Sequence, residues 1–320
     1  DQRQTDSMTS LSAPDIVDAL SARVVGRRRE LEVLVAALAA DRHVLLEGPP
    51  GTGKSTILRE VAAAAGTGFV FVEGNAELTP ARLAGQFDPS RVLEDGYTPE
   101  VFVDGPLVEA LRHGSLLYVE ELNRVPEETV NLLITVMSEG ELTLPRLGTI
   151  PAADGFRLVA AMNPFDNIGT ARVSGAVYDR MCRIAMGYQS LDDESDIVVR
   201  NTSEDDRVLR RRAVAVTRGT RNHPDVRVGS SVRGAIDLVE VGHALASMRS
   251  AQVTDPSVGL DAALTALSGR IRLHEGGSST PESVITDLWD AVLAQEHPRD
   301  DDDSSSGKAT APDGATPASP

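Results

Sequence analysis

The feature that most constrains the fold of this chain is a glycine-rich segment, residues 48–55. It follows a short apolar run at 43–46 and precedes a helical pattern at 57–65. From Gly48 to Ser55 it matches G-x-x-x-x-G-K-S/T at every fixed position, in the strand-to-helix context that gives this pattern its meaning. A glycine-rich turn that matches by chance is the alternative.

Such a loop has a defined chemistry. Its glycines let backbone N–H groups turn inward around a polyphosphate, and the helix that follows adds positive potential at its N-terminus. Lys54 is predicted to bridge the β- and γ-phosphates, and Ser55 to ligate Mg²⁺. The sequence therefore predicts ATP and Mg²⁺ as cofactors, with these residues binding the nucleotide: Gly48, Pro49, Pro50, Gly51, Thr52, Gly53, Lys54, Ser55 and Thr56.

Apolar runs alternate with amphipathic helical patterns over the first two thirds of the chain. The runs 69–72, 115–119 and 156–161 predict further strands, and the stripe within 126–140 predicts a helix. This alternation predicts a mostly parallel sheet covered on both faces. After about Ser190 the patterns are helical only. The predicted fold class is α/β, a P-loop core with a parallel sheet between helices, followed by a small all-α lid domain.

The predicted organisation has four parts. A flexible N-terminal segment (1–22) precedes the α/β nucleotide-binding domain (23–189), and a helical lid domain (190–297) precedes a disordered acidic tail (298–320). The tail is rich in Asp, Ser, Pro and Ala, a composition that buries too little apolar surface to offset the entropy of ordering.

Composition excludes several classes of function. A net charge of −17 argues against a broad basic face, so nucleic acid is not an expected partner. The single cysteine, Cys182, excludes an internal disulfide and a multi-cysteine metal site. No apolar run approaches the ~20 residues of a membrane span, and no signal-peptide pattern opens the sequence. The expected location is the cytoplasm.

Two acids, Glu120 and Glu121, end the apolar run at 116–119. Because buried charge is costly, two acids at the tip of a buried strand indicate a use. Phosphoryl transfer to water needs a metal holder and a group that orients the water. Glu120 is predicted to hold Mg²⁺, and Glu121 to polarise the attacking water. Aspartate is usual at the first position, so Glu120 is a departure. Two acids on a solvated turn are the alternative.

Three more polar residues complete the predicted site. Asn163 follows an apolar strand and is predicted to bind the attacking water or the γ-phosphate, although Asn-Pro also begins ordinary turns. Arg180, with Arg183 as runner-up, is the candidate for an arginine supplied in trans; a surface ion pair is the alternative. Arg233 falls in the first turn of a predicted helix capped by Ser230 or Ser231, where only an external anion or solvent would favour a cation.

With these residues placed, the chain resembles the MoxR-type AAA+ ATPases, a branch that includes the CbbQ- and NorQ-like activators. The resemblance runs from about Val24 to Trp289. It rests on Val25 to Arg27, on Glu120 to Pro126 (D-E-I/L-N-R-x-P in the family), on Ala161 to Thr170 (sensor 1), on Asp179–Arg180 (D-R-F, with Met181 replacing Phe) and on Gly229 to Arg233 (sensor 2).

The resemblance implies further site residues and an assembly. It places Val25 and Gly26 near the adenine, Arg180 as an inter-subunit finger and Arg233 as a lid arginine. It also implies a homohexameric ring with ATP at the subunit interfaces. Two insertions are implied at roughly 85–105 and 139–155, where Tyr97 and Phe102 are candidates for gripping a partner unless they pack inside the insertion.

The resemblance also implies a function. Relatives remodel or activate a protein client, often by helping to install a metal or cofactor, and work with a von Willebrand A-domain protein. The prediction is therefore an ATP-hydrolysing remodelling chaperone. The alternatives are a nucleic-acid-dependent AAA+ motor and a non-hydrolysing ATP-sensing scaffold, the latter supported only by Glu120 in place of Asp.

Overall fold

A computed structural model describes residues 12–164, 173–202 and 206–296, which form an α/β core and a helical lid. The core contains α1 (Ala13–Ser21), α2 (Arg28–Ala39), β1 (His43–Glu47), α3 (Lys54–Ala65), β2 (Phe69–Glu73), α4 (Pro80–Ala84), β3 (Gly85–Phe87), α5 (Pro89–Asp95), β4 (Phe102–Asp104), α6 (Pro106–His113), β5 (Leu116–Glu120), α7 (Glu127–Glu139), β6 (Glu141–Leu144), β7 (Gly148–Pro151), β8 (Arg157–Met162), α8 (Gly175–Arg180) and β9 (Met181–Ala185). The lid contains α9 (Leu191–Asn201), α10 (Arg207–Asn222), β10 (Val226–Val228), α11 (Val232–Arg249), α12 (Pro256–Leu267), β11 (Arg272–Leu273) and α13 (Pro281–Glu296).

The central sheet has the strand order β2-β5-β8-β1-β9, and all neighbouring strands are parallel. This confirms the predicted fold class. The carboxyl ends of the strands therefore meet at one edge, where Glu47 of β1 pairs with Met162 of β8 and Glu73 of β2 pairs with Glu120 of β5. The segments that leave this edge carry three of the predicted elements of the site, residues 48–56, Glu121 and Asn163.

The two faces of the sheet are buried in separate apolar layers. Leu117 and Val119 of β5 pack into the layer that includes α6 and α7. Tyr118, which points to the opposite face, packs into the layer that includes Ile57 and Leu58 of α3. This alternation along one strand, with both faces apolar, is the reason that β5 reads as a continuous apolar run.

The N-terminal part of the core corrects one prediction. Residues 13–21, expected within a flexible segment, form α1, and Ile16, Val17 and Leu20 on one side of this helix are buried. Ser12 caps the helix by accepting a hydrogen bond from the Asp15 N–H. The burial of these three apolar side chains and the N-cap hydrogen bond of Ser12 stabilise α1, although its other face is polar. Residues 1–11 and the predicted acidic tail lie outside the described residues.

Both predicted insertions are present as antiparallel pairs, β3 with β4 and β6 with β7. Phe102 packs against Phe87, with ring centroids 5.1 Å apart, and against the core, so it is not an exposed grip. Tyr97 is 52% exposed and also contacts the Phe87 ring. The guanidinium of Arg146, in the β6–β7 turn, lies 3.8 Å from the centroid of the Tyr97 ring and joins the two insertions.

The lid packs five helices around its own apolar cluster, to which the short antiparallel pair β10–β11 is added. Trp289 of α13 is 1% exposed at the centre of this cluster. Its indole lies over Gly259 of α12 so closely that a Cβ there would be 2.2 Å from the ring. Among the described residues, no helix has the length and apolar character needed to cross a membrane.

Candidate active site

The glycine-rich loop connects β1 to α3 as the sequence predicts, and two of its glycines need their lack of a side chain. Gly51 and Gly53 have φ of +72° and +86°, a region that L-residues disfavour. Lys54 is 8% exposed, and its ammonium donates hydrogen bonds to the carbonyls of Gly48 (2.9 Å) and Pro49 (2.8 Å). Burial lowers the pKa of Lys54, although the nearby carboxylates of Glu120 and Glu121 oppose that shift.

Ser55 and Glu120 meet beside this loop. The Ser55 hydroxyl donates to Oε1 of Glu120 at 2.9 Å, so the longer arm of glutamate does reach the first turn of α3. A hydroxyl and a carboxylate side by side are oxygen donors of the type that Mg²⁺ prefers. The described residues contain no group of three or more acidic, His or Cys side chains that could hold a metal. Two oxygen ligands from the protein suit Mg²⁺, which usually keeps several waters and binds substrate phosphates.

Tyr118 adds a third oxygen to this corner. Its hydroxyl lies 3.3 Å from the Ser55 Oγ, and the rest of its side chain is buried beneath α3. Burial raises the pKa of Tyr118, so the phenol remains protonated at neutral pH. The sequence analysis missed this residue. Its position two residues before Glu120, on the same face of the strand, is the signal that could have found it.

Glu121 leaves the sheet in a left-handed conformation, with φ +53° and ψ +45°. This backbone turns the chain sharply at the tip of β5, and Glu121 joins Glu120 in lining the phosphate cleft. Nε of Arg124 lies 3.5 Å from the Glu121 carboxylate. Gly74, at the end of β2, supports the turn: its N–H donates to the Glu120 carbonyl at 2.7 Å, and a Cβ there would lie 2.5 Å from the Glu121 carbonyl.

Asn163 follows β8 directly and lines the same cleft as Lys54 and Ser55. Asn123, which is 6% exposed, lies next to it, and its side-chain amide is 3.5 Å from the Asn163 carbonyl oxygen. The acidic turn after β5 and the turn after β8 are thus in contact. The Gly169–Thr170 part of the sensor 1 resemblance lies outside the described residues.

The lid reaches the phosphate loop through the start of α11. Ser231 is the N-cap residue of this helix, but its hydroxyl makes no cap hydrogen bond. It lies instead against the loop, where a Cβ on Gly51 would be 2.2 Å from the Ser231 Oγ and 3.7 Å from Cδ of Arg233. Arg233 lines the cleft together with Lys54 and the two glutamates. The cation predicted to need an external anion therefore points toward the place where phosphates would lie.

A second cleft of about 430 Å³ opens between core and lid next to the phosphate loop, and its lining includes Val25, Thr56, Gln189 and Val232. The Gln189 side-chain amide donates to the Val25 carbonyl at 3.0 Å. Gly26, with φ +66°, lies directly under Asp193 of α9, so a side chain there would collide with the lid.

Arg27, which the sequence analysis placed in the entry segment without a role of its own, contacts both the core and the segment that leads into the lid. It is 3% exposed and donates to the carbonyls of Thr52 (3.0 Å) and Gly187 (2.7 Å). Glu30 lies 3.0 Å from its Nη1. One buried guanidinium therefore fixes the phosphate loop to the strand that leads into the lid.

Arg180 and Arg183 lie at the β9 edge of the sheet, and neither lines the phosphate cleft among the described residues. Arg183 pairs with Glu47, a carboxylate that is 5% exposed and also accepts a 2.7 Å hydrogen bond from the Tyr178 hydroxyl. Burial and the Glu47 carboxylate raise the pKa of Tyr178 to about 12. Arg180 donates to neutral oxygens, those of Ser138 (2.5 Å) and the Ala176 carbonyl (3.1 Å).

Comparisons with known proteins agree with this geometry. Residues 43–181 match the family described as AAA domain, dynein-related subfamily. The chain is 28% identical over 305 residues to the uncharacterised protein YeaC of Bacillus subtilis, covering 84% of this chain and 91% of that protein. It is 28% identical over 267 residues to the gas vesicle ATPase GvpN1 of Halobacterium salinarum, covering 78% and 76% of the two chains.

The fold is also shared with solved structures. The crystal structure of a proposed ATPase from Cytophaga hutchinsonii superposes with a TM-score of 0.50 at 20% identity, covering 86% of this chain and 92% of that one. Such low identity supports the architecture alone. The match over residues 43–181 and the relatives named as ATPases confirm the predicted enzyme class, in agreement with the phosphate loop at the edge of a parallel sheet. Residues 43–181 therefore match an AAA domain, and the chain is an ATPase.

Proposed function

We propose that this ATPase is a remodelling chaperone of the MoxR type, which couples hydrolysis of Mg-ATP to a change of shape that acts on a protein client. The observation that carries the proposal is the convergence of Lys54, Ser55, Glu120, Glu121 and, from the lid, Arg233 on a single cleft. A lid arginine in the phosphate cleft gives the γ-phosphate a direct contact with the part of the molecule that can move.

The residues of the core divide the chemistry between them. Lys54 is buried, and its ammonium would exchange its two loop carbonyl acceptors for phosphate oxygens, whose negative charge would compensate its positive charge. Ser55 and Glu120 would hold Mg²⁺, which when bound supplies positive charge against the phosphates. Glu121 would accept a proton from the attacking water, and Asn163, beside it in the cleft, would orient that water.

The transition-state charge needs a further cation, which we assign to Arg180 of a neighbouring subunit. Of the two candidates, Arg183 is engaged by the buried carboxylate of Glu47, and breaking that pair would leave a desolvated charge behind. Among the described residues, Arg180 contacts neutral oxygens and an exposed Asp179 at 3.8 Å, so it can be redirected at lower cost. This assignment requires a ring, which we propose to be a homohexamer.

Loss of the γ-phosphate would release Arg233 and loosen the contact between Ser231 and Gly51. Arg27 hydrogen-bonds both the phosphate loop, at Thr52, and Gly187 in the segment between β9 and the lid. A movement of the loop would therefore be passed directly to the connection between core and lid. The motion would be passed to a client through the two joined insertions. A von Willebrand A-domain protein and a client that gains a metal or cofactor are the partners that we propose.

The test uses two variants that are expected to be inactive, first separately and then mixed. Glu121→Gln is expected to bind ATP as tightly as wild type and to lose hydrolysis by a factor on the order of 10²–10⁴, because the amide cannot accept the proton. Arg180→Ala is expected to lose hydrolysis for a different reason, the absence of charge at the next subunit's site. Phosphate release, nucleotide affinity and the size of the assembly would be measured for each variant alone.

Mixing the two variants separates trans from cis action. If Arg180 acts across the interface, mixed rings contain some sites with both Glu121 and Arg180 intact, and phosphate release returns. A matched Arg183→Ala variant mixed with Glu121→Gln serves as the control. Absence of any recovery in mixed assemblies would refute the trans role, and normal hydrolysis by Glu121→Gln would remove Glu121 from the mechanism.

A further inference from the structure

Tyr118 is fully buried, yet its one polar atom meets the proposed magnesium site. It lies two residues before Glu120 on β5, so both side chains leave the strand on the face that α3 covers. Its hydroxyl is 3.3 Å from the Ser55 Oγ. A phenylalanine would fill the same apolar space, so packing alone does not account for the hydroxyl.

Counting donors and acceptors shows the direction of this contact. A serine hydroxyl has one hydrogen and two acceptor lone pairs. The hydrogen of Ser55 is used in the 2.9 Å bond to Glu120, since a carboxylate can only accept. Tyr118 therefore acts as the donor in its contact with Ser55, and its hydroxyl also interacts with the Glu120 carboxylate. Two of the three positions around the Ser55 oxygen are then fixed, and one lone pair remains for a metal ion.

The tyrosine is held firmly enough to fix that geometry. Its ring packs against Phe69 and Phe71, with centroids 6.0 Å and 5.7 Å away. The guanidinium of Arg59 covers the other two rings at 5.1 Å and 5.4 Å from their centroids. A ring surrounded in this way cannot turn its hydroxyl elsewhere.

We propose that Tyr118 is a positioning residue for Mg²⁺: its hydroxyl fixes the rotation of Ser55 so that a free lone pair faces the ion while Glu120 accepts the serine hydrogen. This inference rests on the proposed function, because it needs Ser55 and Glu120 to hold the ion. Partners that orient a metal ligand are typically worth about 10–100-fold in metal affinity, so the effect is large enough to measure.

The experiment compares wild type with Tyr118→Phe, which removes a single oxygen. A fluorescent ADP would be titrated in EDTA and then with increasing MgCl₂. We expect unchanged affinity in EDTA and a rise on the order of tenfold in the Mg²⁺ concentration needed for the tight complex. Tyr97→Phe, the same change on the half-exposed tyrosine of the first insertion, is the matched control and should leave both values unchanged.

Each outcome decides the question. An unchanged Mg²⁺ requirement in Tyr118→Phe would overturn the proposal, as would an equal loss of affinity in EDTA, since that would mean that the hydroxyl supports the loop and not the ion. If Tyr118→Phe does not fold, which thermal melting reports, Tyr118→Leu replaces it, because it also removes the hydroxyl and should again raise the Mg²⁺ requirement without changing the affinity in EDTA. Wild type that ignores Mg²⁺ would instead refute the proposed function itself.

Discussion

The left-handed backbone at Glu121 allows a quantitative test of how the turn after β5 is built. A side chain at positive φ costs roughly 1–2 kcal/mol, and glycine avoids this penalty. Glycine in turn is less favourable than alanine by roughly 0.5–1 kcal/mol, because its unfolded chain is freer. With φ +53° at Glu121, the free energy of unfolding of Glu121→Gly should exceed that of Glu121→Ala by about 0.5–1 kcal/mol.

The comparison between the two variants removes other contributions. Both lose the carboxylate and its 3.5 Å contact with Arg124, so these effects cancel in the difference. Urea denaturation followed by circular dichroism gives the two unfolding free energies, and phosphate release should be lost in both. Glu128, exposed in the first turn of α7, supplies the control pair, where alanine should be the more stable residue by about 1 kcal/mol.

The result that would refute this reasoning is specific. If alanine at position 121 were as stable as glycine, or more so, the turn would not hold a positive φ in solution. The carboxylate would then not be turned into the cleft by the backbone, and another account of its orientation would be needed. Equal stability at position 128 would instead show that the assay does not resolve backbone effects.

Two further outcomes are expected. Gly51→Ala should weaken nucleotide binding by about tenfold or more, because φ is +72° and its Cβ would lie 2.2 Å from the Ser231 Oγ; wild-type affinity in a fluorescent-nucleotide titration would contradict this. Burial lowers the pKa of His43 in the folded state, so below about pH 6.5 the unfolded state binds a proton more readily than the folded state does. The contribution of neutral His43 to the free energy of unfolding is therefore complete above about pH 6.5 and decreases as the pH falls below that value. His43→Asn should flatten the urea midpoint between about pH 7.5 and about pH 5.5, and an unchanged slope would contradict the assignment.

Local patterns in the sequence were sufficient for the parts of the fold that depend on local physics. The strands β1, β2, β5 and β8 are buried on both faces or end in a sharp polarity change, which makes them visible as apolar runs. Strand β9 was missed because it is an edge strand whose exposed Cys182 and Arg183 interrupt the run. Helix α1 was missed because its buried side is only three residues.

The site divides in the same way. The phosphate loop and the acidic pair are each contiguous in sequence, so their placement beside one cleft could be predicted from their positions at the ends of strands. The contact between Gly51 and Ser231 joins residues of the core and the lid, and no local pattern encodes such a distance. The same is true of Glu47, whose buried pair with Arg183 forms only when β9 adds to the sheet. The proposed trans role of Arg180 depends on contacts with a second chain, which no local pattern in one sequence encodes.

The lid core has a practical consequence. Trp289 is the only tryptophan in the sequence, and it is sealed against Gly259 among aliphatic side chains. Intrinsic tryptophan fluorescence therefore reports on the lid and not on the α/β core. Thermal unfolding of the lid can therefore be followed separately from that of the core without an added dye. Any loosening of the lid after ATP hydrolysis would shift the wavelength of maximum tryptophan emission.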